Sequence, residues 1–290
     1  MTSLRYEVVD VFTDRPFTGN PLAVVFGGDA LATDQFQAVA REFNLSETIF
    51  ILPPASPDAT YRVRIFTPAA EIPFAGHPSV GAAVALLRAG RFGAGRVVQE
   101  CGAGLLPIEV MDGGTATLTG GPPTIGPDLD AGPLLAAVGL KAGDLAGPPP
   151  RTAGCGLEFT YLPVRAESVA RAVPDAAAIV AAGVNGLDLF AWEPATNAAH
   201  ARVFAPRLGV TEDPATGSAA LGLGVFLLGA GLLPADGAAA YRVRQGAEMH
   251  RPSTLDCVVT AAGGRIASAT VSGHVTPIAA GRIAVPPFVG

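Results

Sequence analysis

Short runs of alternating apolar and polar residues, or of β-branched and other apolar residues, mark the first third of the chain. "RYEVVDVF" (5–12), "PLAVVF" (21–26), "TIFILP" (48–53), "YRVRIFTP" (61–68), "RVVQE" (96–100) and "LLPIEV" (105–110) are each bounded by Gly, Pro, Asp or Asn, and they predict β-strands. The period changes in "DQFQAVAREF" (34–43), where Phe36, Val39 and Phe43 share one helical face and Thr33 is the expected cap. Beyond residue 118, "GGPPTIGPD" (120–128) and "AGPPPR" (146–151) read as loops by composition.

No residue between Asp213 and Asp236 is charged, a length that would suit a membrane span. Five glycines (217, 222, 224, 229 and 231) and acidic flanks argue instead for a helix enclosed by protein on all sides. Its opening, "EDPATGSAALG" (212–222), has an earlier counterpart. Arg64, Phe66 and Pro68 match Arg202, Phe204 and Pro206 at an offset of 138; Glu71, Pro73, Gly76 and Gly81 match Glu212, Pro214, Gly217 and Gly222 at an offset of 141. Each copy reads as strand, acidic-proline loop, glycine and apolar helix, which implies an internal duplication and two related halves.

The duplicated loops carry the candidate chemistry. A helix start leaves its first N–H groups without intrahelical partners and adds partial positive charge, so it suits a carboxylate or phosphate. His77 follows Gly76 and Ser218 follows Gly217, so these two polar side chains take equivalent places at two helix starts. If the halves are related by pseudo-twofold symmetry, both starts can face one pocket. The plainer alternatives are that Ser218 or Asp213 caps or braces its helix and that His77 is a hydrogen-bonded loop residue. No Lys follows the glycines as a phosphate-binding loop would require, and His77, His200, His250 and His274 lack metal-ligand spacing. Glu47, in "NLSETIFILP" (44–53), opens a strongly apolar run. Its position favours solvent; partial burial would instead raise its pKa and suit proton transfer.

Composition narrows the partners. Hydrophobic residues make up 49% of the chain and charged ones 15%, which argues against disorder. A net charge of −6 without a Lys/Arg cluster disfavours nucleic acid and anionic membranes. Cys101, Cys155 and Cys257 are odd in number and far apart, and the opening residues lack an apolar leader, so a reducing, cytoplasmic setting is expected.

With "VDVFTDRPFTGNPLAVV", "NLSETIFI", "RIFTPAAEIPFAGHPSVGAA" and "EDPATGSAALG" in order, the chain resembles the PhzF-like proteins of phenazine biosynthesis, relatives of diaminopimelate epimerase. The resemblance implies an α+β fold of two similar domains, each a strongly curved sheet or barrel around a central helix, with the active site between them. Residues 1–119, joined by a C-terminal strand 279–290, are expected to form one domain and 120–278 the other. It further implies that Glu47 shuttles a proton, while Gly76, His77, Asp213, Gly217 and Ser218 bind a small substrate's carboxylate and amino groups. The epimerases' two cysteines are replaced by Ala75 and Thr216, which excludes a two-thiol mechanism. The activity implied is a cofactor-independent isomerase with no metal, with a second copy of the chain as a candidate partner. A non-catalytic binder and a two-base racemase pairing Glu47 with another group are the competing readings.

Overall fold

Period-two runs fold as strands in the computed structural model, and the apolar runs from Gly76 and Gly217 fold as helices. The structure describes residues 2–287. In the first part of the chain the strands are β1 (Ser3–Val11), β2 (Asn20–Phe26), β3 (Glu47–Leu52), β4 (Tyr61–Phe66), β5 (Glu71–Ile72), β6 (Gly95–Cys101), β7 (Gly104–Met111) and β8 (Thr115–Thr119), with helices α1 (Thr33–Phe43) and α2 (Gly76–Arg88). Then come β9 (Pro123–Asp128), α3 (Ala131–Ala137), β10 (Arg151–Cys155), β11 (Glu158–Pro163), α4 (Ala166–Val169), α5 (Ala176–Ala181), β12 (Leu187–Glu193) and β13 (Ala198–Ala205). The chain ends with β14 (Val210–Asp213), α6 (Gly217–Gly229), β15 (Gly237–Gln245), β16 (Ser253–Ala262) and β17 (Arg265–Ala284).

The chain divides into two compact units, one of residues up to 118 together with those from 272 onward, the other of residues 119–271. In the first, β1, β2, β3, β4, β6, β7, β8 and the last part of β17 pair in turn, and β17 pairs again with β1 to close an eight-stranded barrel. In the second, β10, β11, β12, β13, β15 and β16 pair in sequence, with β9 beside β10. The run of pairings from β1 to β7 is antiparallel, parallel, antiparallel, parallel, antiparallel. From β10 to β16 it is the same. The duplication in sequence is therefore a duplication of topology.

Each half wraps a 13-residue helix. α2 is buried from Gly76 to Leu86 against β1, β2, β3 and β7; α6 is buried from Gly217 to Leu227 against β9, β10, β11 and β16. That enclosure explains the apolar run without a membrane, since 13 residues span only about 20 Å. Among the described residues no helix is long and apolar enough to cross a membrane. The repeat also preserves an ion pair. Arg64 grips Glu71 through Nε and Nη2 at 2.7 and 2.6 Å, and Arg202 grips Glu212 at 2.8 and 2.9 Å. Each guanidinium lies 5.1 Å from the ring two residues on, Phe66 or Phe204.

Two expectations are corrected. Residues 123–128, read as loop, form β9: despite Pro123 and Pro127, pairing with β10 holds them extended, with an irregular register between Arg151 and Ala153. Ala32, not Thr33, precedes α1; its N–H donates to Gln35 Oε1 at 2.9 Å, and the Thr33 hydroxyl instead accepts from Arg64 at 3.0 Å. The C-terminal strand expected over 279–290 runs to Ala284, and residues 288–290 lie outside the described residues.

Close packing makes one helical glycine sensitive. A Cβ on Gly222 would lie 2.3 Å from the Tyr161 hydroxyl, which donates to Ala219 O at 2.8 Å. Alanine improves helix propensity by about 1 kcal/mol, but overpacking costs about 1–3 kcal/mol and a lost buried hydrogen bond about 1 kcal/mol more. Gly222→Ala is therefore expected to lower the urea midpoint; an unchanged or higher midpoint would contradict this packing.

Candidate active site

In the first unit, the candidate residues lie where two strands and a helix begin. After β1 the chain turns through Phe12 (φ 65°) and Phe17 (φ 63°), left-handed conformations unfavourable for aromatic residues. The buried Asp10 carboxylate accepts the Phe17 N–H at 2.7 Å, and β2 then starts at Asn20. On the next segment, α1 ends at Asn44 in a left-handed cap (φ 51°), so the chain reverses within two residues to Ser46 and opens β3 at Glu47. Pairing of Leu22 with Glu47 sets β3 beside β2, and α2 begins against both strands.

The candidate side chains Glu47 and His77 meet there. Glu47 Oε2 lies 3.4 Å from His77 Nε2, with the glutamate side chain 15% exposed and the imidazole 5%. Asn20 Nδ2 lies 3.3 Å from His77 Nδ1, and the Ser46 hydroxyl donates to Asn20 Oδ1 at 3.2 Å. Glu47 is thus drawn in from the surface position that the sequence favoured, because α2 starts against its end of β3. Burial pushes the His77 pKa from 6.5 down to about 3, with the Pro21 carbonyl acting weakly the other way. The imidazole is neutral at working pH.

That burial links proton binding to stability. Between pH 6.5 and about 3 the unfolded chain binds a proton at His77 that the folded chain refuses. Stability from this group is complete above pH 6.5 and declines as pH falls through that window. His77→Gln is expected to flatten the pH dependence of unfolding free energy there; an unchanged slope would show that His77 is not held neutral.

In the second unit, the candidate residues lie on the loop paired in the repeat with the start of α2. Asp213 ends β14, and Thr216 occupies the position before α6 with an extended backbone (φ −113°). The Thr216 hydroxyl donates to Asp213 Oδ2 at 2.5 Å. Gln245, 2% exposed, ties the loop together: its Nε2 donates to Asp213 O at 2.7 Å and to Thr216 Oγ1 at 3.0 Å, and its Oε1 accepts the Thr216 N–H at 3.1 Å. Gly246 (φ 77°) lets the following turn press on this loop, since a Cβ there would meet Pro214 O at 2.6 Å. Ser218 is 6% exposed in the first turn of α6. It is not the cap; Thr216 holds that position, and its side chain makes no cap hydrogen bond.

Neither α2 nor α6 is capped by a side chain at its start, whereas Asp130 and Asp175 cap α3 and α5. The duplicated starts thus keep the N-terminal N–H groups and dipole that an anion would use. Glu47, Gly76 and His77 come together in one unit; Asp213, Gly217 and Ser218 come together in the other. Asn20 and Gln245 are the residues that sequence reasoning missed. Gln245 had a signal: in "YRVRQ" it falls on the buried side of a strict alternation, in register with Tyr241 and Val243. Among the described residues, no cluster of three His, Cys, Asp or Glu side chains could hold a metal ion.

Comparison with known proteins gives a consistent result. The sequence profile of the PhzC-PhzF family, described as phenazine biosynthesis-like protein, matches residues 9–281. An uncharacterized isomerase of Mesorhizobium japonicum is 36% identical, covering 98% of this chain and 99% of its own. Trans-2,3-dihydro-3-hydroxyanthranilate isomerase of Pseudomonas aeruginosa is also 36% identical, over 96% of this chain and 98% of that protein. The crystal structure of a PhzF-family phenazine biosynthesis protein from Bacillus anthracis superposes with a TM-score of 0.89 at 25% identity, covering 98% of this chain and all of that one.

Proposed function

The chain belongs to the PhzC-PhzF family and is an isomerase; from that premise we propose that it moves a proton between carbons of a small amino-carboxylic acid without a cofactor, using Glu47 as acid and base. The observation that carries the reading is a carboxylate set 3.4 Å from a neutral imidazole at a half-buried strand start. A carboxylate can take a proton from one carbon and return it to another on the same face, as an allylic shift requires. Inverting a stereocentre would need a second group on the opposite face.

The remaining groups favour the one-base scheme. The helix-start places that hold thiols in epimerases are Ala75 and Thr216 here. Burial pushes the thiols of Cys101 and Cys257 up, and that of Cys155 up to about 11, so none is poised as a thiolate base. Gly76, Gly217 and Ser218 bind the substrate carboxylate at the uncapped helix starts, while His77 and Asp213 orient the substrate and its amine. The substrate class follows the named Pseudomonas relative, whose dihydro-hydroxyanthranilate carries a carboxylate and an amine on an unsaturated ring.

The test is turnover of that acid and of a panel of small amino-substituted carboxylic acids, followed by proton NMR in chelator-treated buffer. A product in which a C–H has moved along the carbon skeleton is expected. Inversion of a stereocentre without double-bond migration would favour the racemase, and binding without turnover across the panel would favour the binder.

A further inference from the structure

We propose that Asn20 is a positioning residue that sets the tautomer of His77: its Nδ2–H donates to Nδ1, so the ring proton sits on Nε2, on the side of the Glu47 carboxylate. This rests on the reading of Glu47 as the acid–base group and adds a residue which that reading does not contain.

The geometry of the chain Ser46–Asn20–His77–Glu47, buried at Asn20 and His77, carries it. Asn20 is fully buried at the first position of β2, and the Ser46 hydroxyl holds its Oδ1 at 3.2 Å, which turns the amide nitrogen towards the imidazole at 3.3 Å. Ser46 directly precedes Glu47, so one clamp fixes the strand that carries the base and the ring that faces it. The two ring nitrogens are distinct, and the bond made by one decides which proton the other carries. A donor at Nδ1 requires a lone pair there, and Nε2 then has the hydrogen. At the other end of the ring, an Nε2 lone pair 3.4 Å from an ionised carboxylate would be repelled, whereas an N–H is attracted. The Asn20 donor and the Glu47 carboxylate favour the same tautomer, against the Pro21 carbonyl, the competing acceptor of a ring proton. At 3.4 Å the two atoms face each other without a hydrogen bond between them, and catalytic contacts often tighten only in the substrate complex.

The arrangement assigns the imidazole a fixed role through the proton shift. When Glu47 is a carboxylate, the Nε2–H stabilises it as a base. When Glu47 has taken the substrate's proton, that contact weakens and favours the proton's return to carbon. The imidazole itself neither gains nor loses a proton, consistent with its low pKa.

The experiment is 15N NMR of the full-length protein labelled in histidine, with the His77 signals identified by their loss in His77→Gln. The wild type is expected to show Nε2 protonated and Nδ1 bare. Asn20→Asp, nearly isosteric, replaces the donor by an acceptor and should transfer the ring proton to Nδ1. It should also lower kcat by about 10- to 100-fold with little change in KM, by analogy with the loss of the outer hydrogen-bond partners that orient metal-binding histidines. A wild-type ring protonated on Nδ1, turned to the Pro21 carbonyl, would overturn the proposal, as would an Asn20→Asp ring with an unchanged tautomer. The tautomer is read without turnover. If Glu47→Gln stayed active while the ring behaved as expected, only the acid–base reading would fall.

Discussion

Glu47→Gln is expected to reduce kcat by about 10²–10⁴, the usual worth of a positioned acid–base group, while leaving ligand affinity within a few-fold of wild type. The amide preserves the shape of a side chain that is 15% exposed beside His77, so the strand and the helix start stay in place. It removes only the capacity to exchange a proton. Parallel measurement of kcat and of binding by calorimetry separates the two effects. Near-full turnover would remove Glu47 from the chemistry, and loss of binding with unfolding would show a structural role.

The largest stability effect is expected from one of the two duplicated arginines. Arg202 is 6% exposed, and besides Glu212 its Nη1 donates to the carbonyls of Val169 and Ala172 at 3.1 and 2.8 Å. Arg202→Leu leaves a carboxylate and two carbonyls facing a desolvated site, and breaking such a buried pair typically costs about 3–5 kcal/mol. Arg64 makes the matching bidentate contact, but its side chain is 26% and that of Glu71 39% exposed. Arg64→Leu therefore falls nearer the value of a surface ion pair, about 0–1 kcal/mol. Urea unfolding of both variants at neutral pH checks the contrast, and Glu212→Gln serves if Arg202→Leu does not accumulate folded. Equal losses at the two arginines would contradict the burial argument.

Where local pattern and tertiary environment agree, the sequence was legible. β1, β2, β3, β4, β6 and β7 follow their alternating or β-branched runs, and α2 and α6 start at Gly76 and Gly217, at the offset read from the repeat. The matched Arg64/Glu71 and Arg202/Glu212 turned out to be the same ion pair made twice. Legibility failed where a neighbour decides the outcome. β9 is extended because β10 pairs with it, not because of its own proline-rich composition. Glu47 is drawn inward by a helix that starts about thirty residues later in the chain, which no local window contains. In the sequence Asn20 only bounds the run at 21–26, and its partners, Ser46 and His77, are what link it to the candidate site.

The central claim is that one carboxylate carries one proton from one carbon to another. The most direct measurement uses substrate deuterated at the donor carbon and turned over in ordinary water, with the product analysed by mass spectrometry and NMR. The account predicts that part of the label reappears at the accepting carbon of the product, and that Glu47→Gln abolishes this transfer. Label lost entirely to solvent, with the new C–H derived only from water, would contradict a single Glu47 shuttle.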